Sequence, residues 1–197
     1  MENLNMLTDD MLVARYSEGE NKAFDELLTR YQSKLFNYIF FIVRSQELAE
    51  DLFQETFVKA IVTIQQGRYS ANGKFGAWLT RIAHNLIIDS FRLERNENTV
   101  SNDDSEVDLL NDADLCDDNI EMQMVNEQTL SDVRRLVDAL PDNQREVVYM
   151  RFYQDLSFKE IADITGVSIN TALGRMRYAL LNMRRIAEEK HIVLEVY

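Results

Sequence analysis

Apolar residues recur at helical spacing through almost the whole chain, and very little interrupts them. Only six glycines and one proline occur among 197 residues, and these two residue types most often break a helix. Apolar side chains three and four positions apart share one face of an α-helix, whereas a half-buried strand needs strict alternation. The clearest stripe follows Asn21, a predicted N-cap, and consists of Phe24, Leu27, Leu28, Tyr31, Leu35, Tyr38 and Ile39. The chain is therefore predicted to be all-α.

The negative charge of the chain is concentrated in one segment. The net charge is −13, from 21 Lys and Arg against 34 Asp and Glu. Residues 96–133 contain 12 acidic residues and no Lys or Arg, whereas residues 1–95 carry a net −2 and residues 134–197 a net +1. Because like charges repel and bulky apolar residues are few, residues 96–118 are predicted to be a flexible linker. Two nearly neutral helical modules, residues 1–95 and 119–197, lie on either side of it.

Composition excludes several classes of protein. No apolar run reaches the roughly 20 residues of a membrane-spanning helix, and the acidic N-terminus differs from the basic start of a signal peptide, so no membrane insertion is expected. A single cysteine, Cys116, cannot form an internal disulfide or a cysteine-based zinc site, which favours a reducing cytoplasm. We interpret Cys116 as incidental, although an exposed thiol could also sense oxidants. With two histidines and no nucleotide-loop or zinc-protease motif, the chain is predicted to be no enzyme and to hold no metal or cofactor.

The helix that follows Ser45, a predicted N-cap, is expected to bury one face and expose another. Its inward positions are Leu48, Leu52, Thr56, Ala60 and Ile64. Its outward positions are Glu50, Asp51, Gln54, Glu55 and Lys59. This polar face is either an ordinary solvated surface or a docking face for a protein partner.

The segment GRYSANGKFGAW, residues 67–78, combines three glycines with aromatic and basic residues and is predicted to be a loop. Aromatic side chains on a basic loop are typical of sites that hold unstacked bases, where each stack contributes ~1–3 kcal/mol. Alternatively, buried aromatic residues simply pin the loop. The helix predicted over residues 76–94 then brings four polar side chains to one face. These are Arg81, Asn85, Asp89 and Arg92.

The second module contains a helix-turn-helix pattern. Ser157 and Glu160 form a predicted capping box for a short helix over residues 158–165, and Gly166 opens a turn before a long helix capped by Ser168 and running to about residue 191. The predicted buried side consists of Ile161, Ala162, Ile164, Val167, Ile169, Ala172, Met176, Leu180 and Met183. The predicted exposed side consists of Asn170, Thr171, Arg175, Arg177, Tyr178, Arg184 and Arg185. Such amide, hydroxyl and guanidinium groups can contact phosphates and base edges, which favours DNA binding.

Four stretches of the chain resemble the extracytoplasmic function (ECF, group four) sigma factors, members of the sigma-70 family of bacterial RNA polymerase. They are AFDELLTRYQSKLFNYI at 23–39, ELAEDLFQETFVKA at 47–60, KFGAWLTRIAHNLIIDSFR at 74–92 and LPDNQREVVYMRFYQDLSFKEIADITGVSINTALGRMRYAL at 140–180. The resemblance covers nearly the whole chain. It implies two small helical domains, a sigma-two-like bundle and a sigma-four-like helix-turn-helix domain, joined by the acidic linker. It also implies a factor that binds core RNA polymerase, recognises the −35 and −10 promoter elements, melts the −10 region and directs transcription initiation.

The resemblance further implies roles for individual residues and partners. The residues expected to dock on the β′ clamp helices of the polymerase are Glu50, Asp51, Gln54 and Glu55. Those expected at the −10 element and its flipped base are Lys74, Phe75, Trp78, Arg81, Asn85 and Arg92. Those expected at the −35 element are Asn170, Thr171, Gly174, Arg175, Arg177 and Tyr178. Trp78 fits a base pocket and a core position equally well, and the further partners implied are the β flap and an anti-sigma factor.

Several alternatives remain open at the level of sequence. Leu173 and Gly174 stand where the family often has a basic residue and a serine, so the bases read at −35 are not defined. The linker is either a solvated tether or, as the resemblance implies, a chain that threads the polymerase cleft and RNA exit channel. A stand-alone helix-turn-helix regulator would bind duplex DNA unaided, and a pure interaction protein, such as a polymerase inhibitor, would open no promoter.

Overall fold

A computed structural model describes residues 4–98 and 132–192, and every regular element in these ranges is helical. The first range contains a short 3-10 turn (Leu4–Met6) and helices α1 (Asp9–Ser17), α2 (Asn21–Val43), α3 (Gln46–Gln65) and α4 (Phe75–Asn98). The second contains α5 (described over 132–138), α6 (Asp142–Phe152), α7 (Phe158–Thr165) and α8 (Ile169–Glu189). The all-α prediction is confirmed. Residues 99–118 of the predicted linker, with Cys116, lie outside the described residues.

Side-chain caps fix most helix starts where the sequence predicts them. Ser45 accepts a hydrogen bond from the Leu48 amide at 3.4 Å, and Ser168 accepts one from the Thr171 amide at 3.0 Å. Ser157 and Glu160 form the reciprocal capping box. The prediction for Asn21 is wrong, because α2 starts one residue earlier than expected: Asn21 is its first helical residue and Glu20 is its N-cap, without a side-chain cap bond.

Helices α1 to α4 pack around one apolar core. The stripe of α2 faces inward through Phe24, Leu27, Leu35, Tyr38 and Ile39, as predicted, while Leu28 and Tyr31 are partly buried. The predicted inward positions of α3 are buried from Leu52 onward. Helix α4 runs to Asn98 rather than to residue 94, so residues 96–98, which the sequence assigns to the linker, are helical.

Helices α6, α7 and α8 form the second packing unit, and α7 and α8 are a helix-turn-helix. Gly166 ends α7 in the left-handed conformation, with φ of 68°, which glycine adopts without the penalty of a side chain. Helix α8 buries Ala172, Met176, Ala179 and Ile186. Two residues predicted to be buried, Ile169 and Leu180, are 45% and 52% exposed, because α8 meets α6 and α7 only through the face on which Ala172, Met176 and Ala179 lie.

The two glycines inside helices are expected to respond oppositely to alanine. A Cβ on Gly174 would meet no atom within 4 Å, so Gly174→Ala should stabilise the fold by up to ~1 kcal/mol through helix propensity. A Cβ on Gly76 would approach Tyr31 Cε1 to 2.8 Å, and overpacking typically costs ~1–3 kcal/mol. Gly76→Ala should therefore destabilise the fold. Urea unfolding of both variants is the measurement, and stabilisation of both would show that Tyr31 moves freely.

Candidate nucleic-acid interface

The polar face predicted on α3 is exposed. Its five residues, Glu50, Asp51, Gln54, Glu55 and Lys59, all lie on the solvent side of the helix. The Glu55 carboxylate pairs with Lys59 Nζ at 3.0 Å. The same face continues along the helix into two apolar residues that the sequence reading did not single out, Val58 and Val62, which are 58% and 41% exposed. The face is thus acidic at one end and apolar at the other, a combination that suits a protein partner.

The loop between α3 and α4 contains an aromatic cluster in which exposure differs from residue to residue. Phe75 is completely buried, and its ring centroid lies 5.2 Å from that of Tyr31. Tyr69 and Trp78 are half-buried, and their rings meet edge to face with centroids 4.7 Å apart. Phe75 therefore presents no surface to a base and supports the other two rings, whereas Tyr69 and Trp78 keep surface that a base could reach.

An open cavity of about 420 Å³ lies between α3 and α4 beside this loop. Apolar side chains form its floor, and the polar groups around it come from Lys59, Thr63, Arg68 and Asn85. An apolar floor with a few convergent polar groups is the usual character of a ligand site. Arg68 is the residue that sequence reasoning passed over here, although its place in a glycine-rich basic loop could have indicated it.

The outer face of α4 carries the polar row that its spacing predicts. Arg81, Asn85, Asp89 and Arg92 are all exposed. They lie opposite the buried side of the helix, which includes Leu79, Ala83, Leu86 and Ile87. Arg92 pairs with Asp89 at 3.3 Å, and both side chains remain mostly solvent-accessible. The row starts beside the cavity and runs away from it along the helix.

The helix-turn-helix presents a polar face next to an apolar groove. Asn170, Thr171, Arg177 and Tyr178 are exposed, whereas Gly174 and Arg175 are half-buried. The groove, of about 320 Å³, is lined by Phe158, Leu173, Met176, Arg177, Leu180, Leu181 and Arg184. The predicted −35 residues are therefore accessible at the start of α8, and Leu173 forms part of the groove instead of adding a cation.

The two modules touch through polar contacts that join residues far apart in the sequence. Lys34 Nζ on α2 lies 2.9 Å from Asp155 Oδ2, in the turn between α6 and α7. Lys74 Nζ lies 2.8 Å from Glu160 Oε1 on α7. Lys74 ends the loop between α3 and α4, residues 66–74, which is named the −10 loop because the resemblance predicts that it meets the −10 element. Although burial raises the pKa of Glu160, the hydrogen bonds from Lys74 and Ser157 outweigh it and lower that pKa to about 2. Glu160 is therefore ionised at neutral pH and pairs with a cation predicted to contact DNA.

A buried polar group lies at the centre of this seam between the modules. His84 Nδ1 on α4 is 2.8 Å from Glu146 Oε1 on α6, and Tyr38 Oη donates a hydrogen bond to the same oxygen at 3.2 Å. Tyr38 is fully buried, which raises the pKa of its phenol. Beside it, Tyr149 of α6 packs against Phe41 of α2 with ring centroids 4.5 Å apart. His84 therefore links α4 to α6 through its contact with Glu146.

The described residues contain neither a membrane-spanning helix nor a cluster of metal ligands. None of the helices in residues 4–98 and 132–192 is long and apolar enough to cross a membrane. The same part of the chain contains no group of three or more His, Cys, Asp or Glu residues placed to hold a metal ion.

Family models match both modules. The model described as Sigma-70 region 2 matches residues 27–97, and the model described as Sigma-70, region 4 matches residues 130–180. The ECF RNA polymerase sigma factor BldN of Streptomyces coelicolor is 36% identical over 160 residues. That alignment covers 79% of this chain and 56% of BldN, so the chain spans about half the length of that relative. The ECF RNA polymerase sigma-E factor of Escherichia coli is 30% identical over 174 residues, covering 86% of this chain and 89% of that protein.

Solved structures agree in fold. The sigma factor RpoE of Bartonella quintana, solved with the anti-sigma factor NepR, superimposes with a TM-score of 0.67 over 85% of this chain and 98% of that one, at 22% identity. CnrH, solved with the cytosolic domain of CnrY, gives a TM-score of 0.62 over 92% and 97% of the two chains, also at 22% identity. Both region matches occur in chain order, and the Escherichia coli relative aligns over nearly its whole length. The chain therefore belongs to the ECF sigma factors of the sigma-70 family, which are transcription initiation factors and not enzymes.

Proposed function

We propose that this chain binds core RNA polymerase in the cytoplasm, reads a −35 element as duplex DNA, and melts and captures the −10 element. The observation that carries the proposal is the surface formed by Trp78, Asn85 and Arg92 together with the cavity beside them. Half-buried aromatic rings, an open cavity and an exposed polar row lie in sequence along α4. The rings and the cavity suit a flipped base, and the polar row suits the phosphate backbone of the DNA strand that follows it.

Capture of a base would use the loop and the cavity together. Extracting a base from the stack costs a few kcal/mol, and stacking on an aromatic ring recovers ~1–3 kcal/mol. Trp78 and Tyr69 offer ring surface, Arg68 and Asn85 offer hydrogen-bond donors at the cavity, and Lys74 would contact a phosphate. Phe75 takes part by supporting these rings from the core. Arg81 and Arg92 would follow the backbone of the displaced strand.

Reading of the −35 element would use the N-terminal half of α8. The side chains proposed to contact it are Asn170, Thr171, Arg175, Arg177 and Tyr178, with Gly174 allowing close approach of the backbone. The positive end of the helix dipole, capped by Ser168, adds a phosphate-binding contribution. The groove beside Leu173 carries no cation at that position, so phosphate contacts and shape contribute more than they would with a basic residue there.

Binding of the polymerase would use the exposed face of α3. Acidic and amide groups at Glu50, Asp51, Gln54 and Glu55 are proposed to meet the β′ clamp helices. The β flap is the proposed partner of the second module. Since two solved relatives are complexes with the anti-sigma factor NepR and with the cytosolic domain of CnrY, an anti-sigma factor is a further proposed partner.

The contact between the modules would have to open when both elements are bound. The −35 and −10 elements are about 25 base pairs apart, or ~85 Å of duplex at 3.4 Å per base pair. Lys74 and Glu160, one from each proposed DNA-binding unit, are 2.8 Å apart in the structure. The described arrangement is thus a closed form, and polymerase would hold the modules apart with residues 99–118 as the proposed connecting linker. Attachment of both modules to one polymerase also raises the effective concentration of each at its element.

Run-off transcription with core polymerase and a pool of genomic promoter fragments tests the proposal. Wild type should give factor-dependent transcripts. Asn85→Ala should lower promoter opening about tenfold, as expected for loss of ~1.4 kcal/mol of contact energy, while its binding to core polymerase stays unchanged. Gln54→Ala should instead weaken core binding, and Gln32→Ala, an exposed glutamine on α2 outside the proposed faces, should match wild type.

Two outcomes would contradict the proposal. The absence of a factor-dependent transcript from every fragment would exclude an initiation factor and leave a polymerase inhibitor. Tight binding of the isolated chain to duplex DNA, unaffected by polymerase, would instead favour a stand-alone helix-turn-helix regulator.

A further inference from the structure

One side chain from α1 holds the −10 loop at two points. The Asp10 Oδ1 atom accepts a hydrogen bond from Tyr69 Oη at 3.0 Å. The Asp10 Oδ2 atom accepts one from the Gly73 amide at 2.8 Å. Both carboxylate oxygens are therefore engaged by the same loop, at positions four residues apart, although Asp10 lies about sixty residues away in the sequence.

The carboxylate itself is held in place by the start of α1. Thr8 caps this helix by accepting a hydrogen bond from the Met11 amide. The neighbouring Asp9 pairs with Arg30 Nη1 of α2 at 2.9 Å and accepts a hydrogen bond from Tyr31 Oη. Arg30 also donates to the backbone carbonyl of Leu7 at 2.9 Å. Asp10 thus projects from a helix end that is bonded to α2, which makes it a fixed point for the loop.

The two bonds bear on the parts of the loop that would meet DNA. The Tyr69 ring, whose hydroxyl Asp10 holds, contacts the Trp78 ring edge to face. Gly73 has a left-handed φ of 70° and immediately precedes Lys74, whose amide donates a hydrogen bond to Asn72 Oδ1 at 3.1 Å. The direction of Lys74 and the exposed surface of Trp78 therefore both depend on where Asp10 holds the loop.

We infer that Asp10 is a positioning residue for the −10 loop: it orders Tyr69 and the Gly73–Lys74 turn before DNA binds, and it does not itself contact DNA. Ordering a loop in advance removes that entropy cost from the binding step. The inference rests on the proposed role of the loop in capturing a base. Asp10 would then support DNA binding, although its negative charge alone would repel phosphates and weaken that binding.

Asp10→Asn separates positioning from simple charge repulsion. Asparagine has nearly the same shape but only one acceptor oxygen, so it cannot accept from the Gly73 amide and from Tyr69 Oη at the same time. With its oxygen on the Gly73 amide, it can meet Tyr69 only by donating its NH2 to the phenol oxygen, and both bonds lose the carboxylate charge. If Asp10 only repelled phosphates, removing its charge would strengthen DNA binding. If it positions the loop, affinity should fall, by about tenfold when most of the preorganisation is lost.

The experiment measures binding of a random-sequence single-stranded DNA pool to polymerase holoenzyme formed with each variant. Asp10→Asn should weaken this binding about tenfold, and Tyr69→Phe, which removes one of the two bonds without changing charge, should weaken it less. The variant that carries both substitutions should bind DNA almost as well as Asp10→Asn alone, because both substitutions break the same contact. Glu18→Gln, which neutralises an exposed acid at the end of α1, should leave affinity unchanged or slightly raised.

Two further readouts separate a loop effect from general loss of folding. Trp78 is the sole tryptophan, so its fluorescence reports on the loop and should shift in Asp10→Asn and not in Glu18→Gln. Binding of Asp10→Asn to core polymerase and its unfolding temperature should stay near the wild-type values. If Asp10→Asn does not fold, Tyr69→Phe provides the same test. Strand affinity equal to or above wild type with unchanged Trp78 emission would overturn the inference. Failure of wild type itself to bind the strand would instead contradict the proposed function of the loop.

Discussion

Joining Lys34 to Asp155 through an amide bond is expected to abolish promoter-directed transcription. The Lys34 Nζ and Asp155 Oδ2 atoms are 2.9 Å apart, and the hydrogen bond from Lys34 lowers the pKa of Asp155. A carbodiimide couples an amine and a carboxylate in such contact without inserting any spacer. The product would keep α2 and the turn before α7 together, as they are in the closed form.

The expected loss is nearly complete because the two proposed DNA-binding surfaces could no longer reach the −35 and −10 elements at once. About 85 Å of duplex separates the −35 and −10 elements at 3.4 Å per base pair. The amide between Lys34 and Asp155 would keep the helix-turn-helix beside the −10 loop. Lys34 belongs to none of the proposed contact sets, so its modification removes no proposed contact with DNA or polymerase.

A matched pair of variants isolates this one link. Lys59 Nζ and Lys74 Nζ also lie close to carboxylate oxygens, at 3.0 Å and 2.8 Å, and could be coupled to them. Both lysines are therefore replaced by arginine in the test protein and in the control. The test protein keeps Lys34, and the control carries Lys34→Arg, which preserves the charge but forms no amide. After identical treatment the control should still transcribe. Equal activity of the two proteins, with the Lys34–Asp155 peptide verified by mass spectrometry, would show that the modules need not separate.

Phe75→Ala is expected to lower the free energy of unfolding by ~3–5 kcal/mol, as for other buried phenylalanines. The Phe75 side chain is 0% exposed. Its ring contacts Tyr31, Tyr69 and Trp78, with centroid distances of 5.2, 5.8 and 5.5 Å. Loss of the ring would leave a cavity under the −10 loop as well as in the core. Phe75→Leu keeps most of the buried volume and should cost less than ~1.5 kcal/mol.

The same pair of substitutions distinguishes a core residue from a base-stacking one. If Phe75 only supports the loop, Phe75→Leu should open promoters at close to the wild-type level well below its melting temperature. If the ring stacked on a base, Phe75→Leu would lose opening while remaining folded. Phe91→Leu, at a 38% exposed phenylalanine on the same helix, is the control and should change stability by less than ~0.5 kcal/mol. Calorimetric unfolding and permanganate footprinting measure the two effects.

Local patterns predicted much of the fold correctly. The capping box of Ser157 and Glu160 and the caps at Ser45 and Ser168 lie where the sequence places them. Such caps act across three residues, so neighbouring letters are sufficient to predict them. Two local predictions were wrong. Glu20 and not Asn21 is the N-cap of α2, and Leu180 is exposed because no helix within residues 4–98 and 132–192 covers that side of α8.

Helical periodicity in the sequence determined the all-α class and the polar faces of α3, α4 and α8, and the charge distribution predicted the two modules. The closed seam and the support of the −10 loop required the tertiary structure. Tyr38 and Glu146 are 108 residues apart, and Asp10 and Tyr69 are 59 apart. Helical spacing shows that a face is apolar or polar, but it contains no information about which other face will cover it. Those pairings are decided only when the helices pack, and packing also buries Phe75, for which the sequence of its loop left a base contact and a core position open.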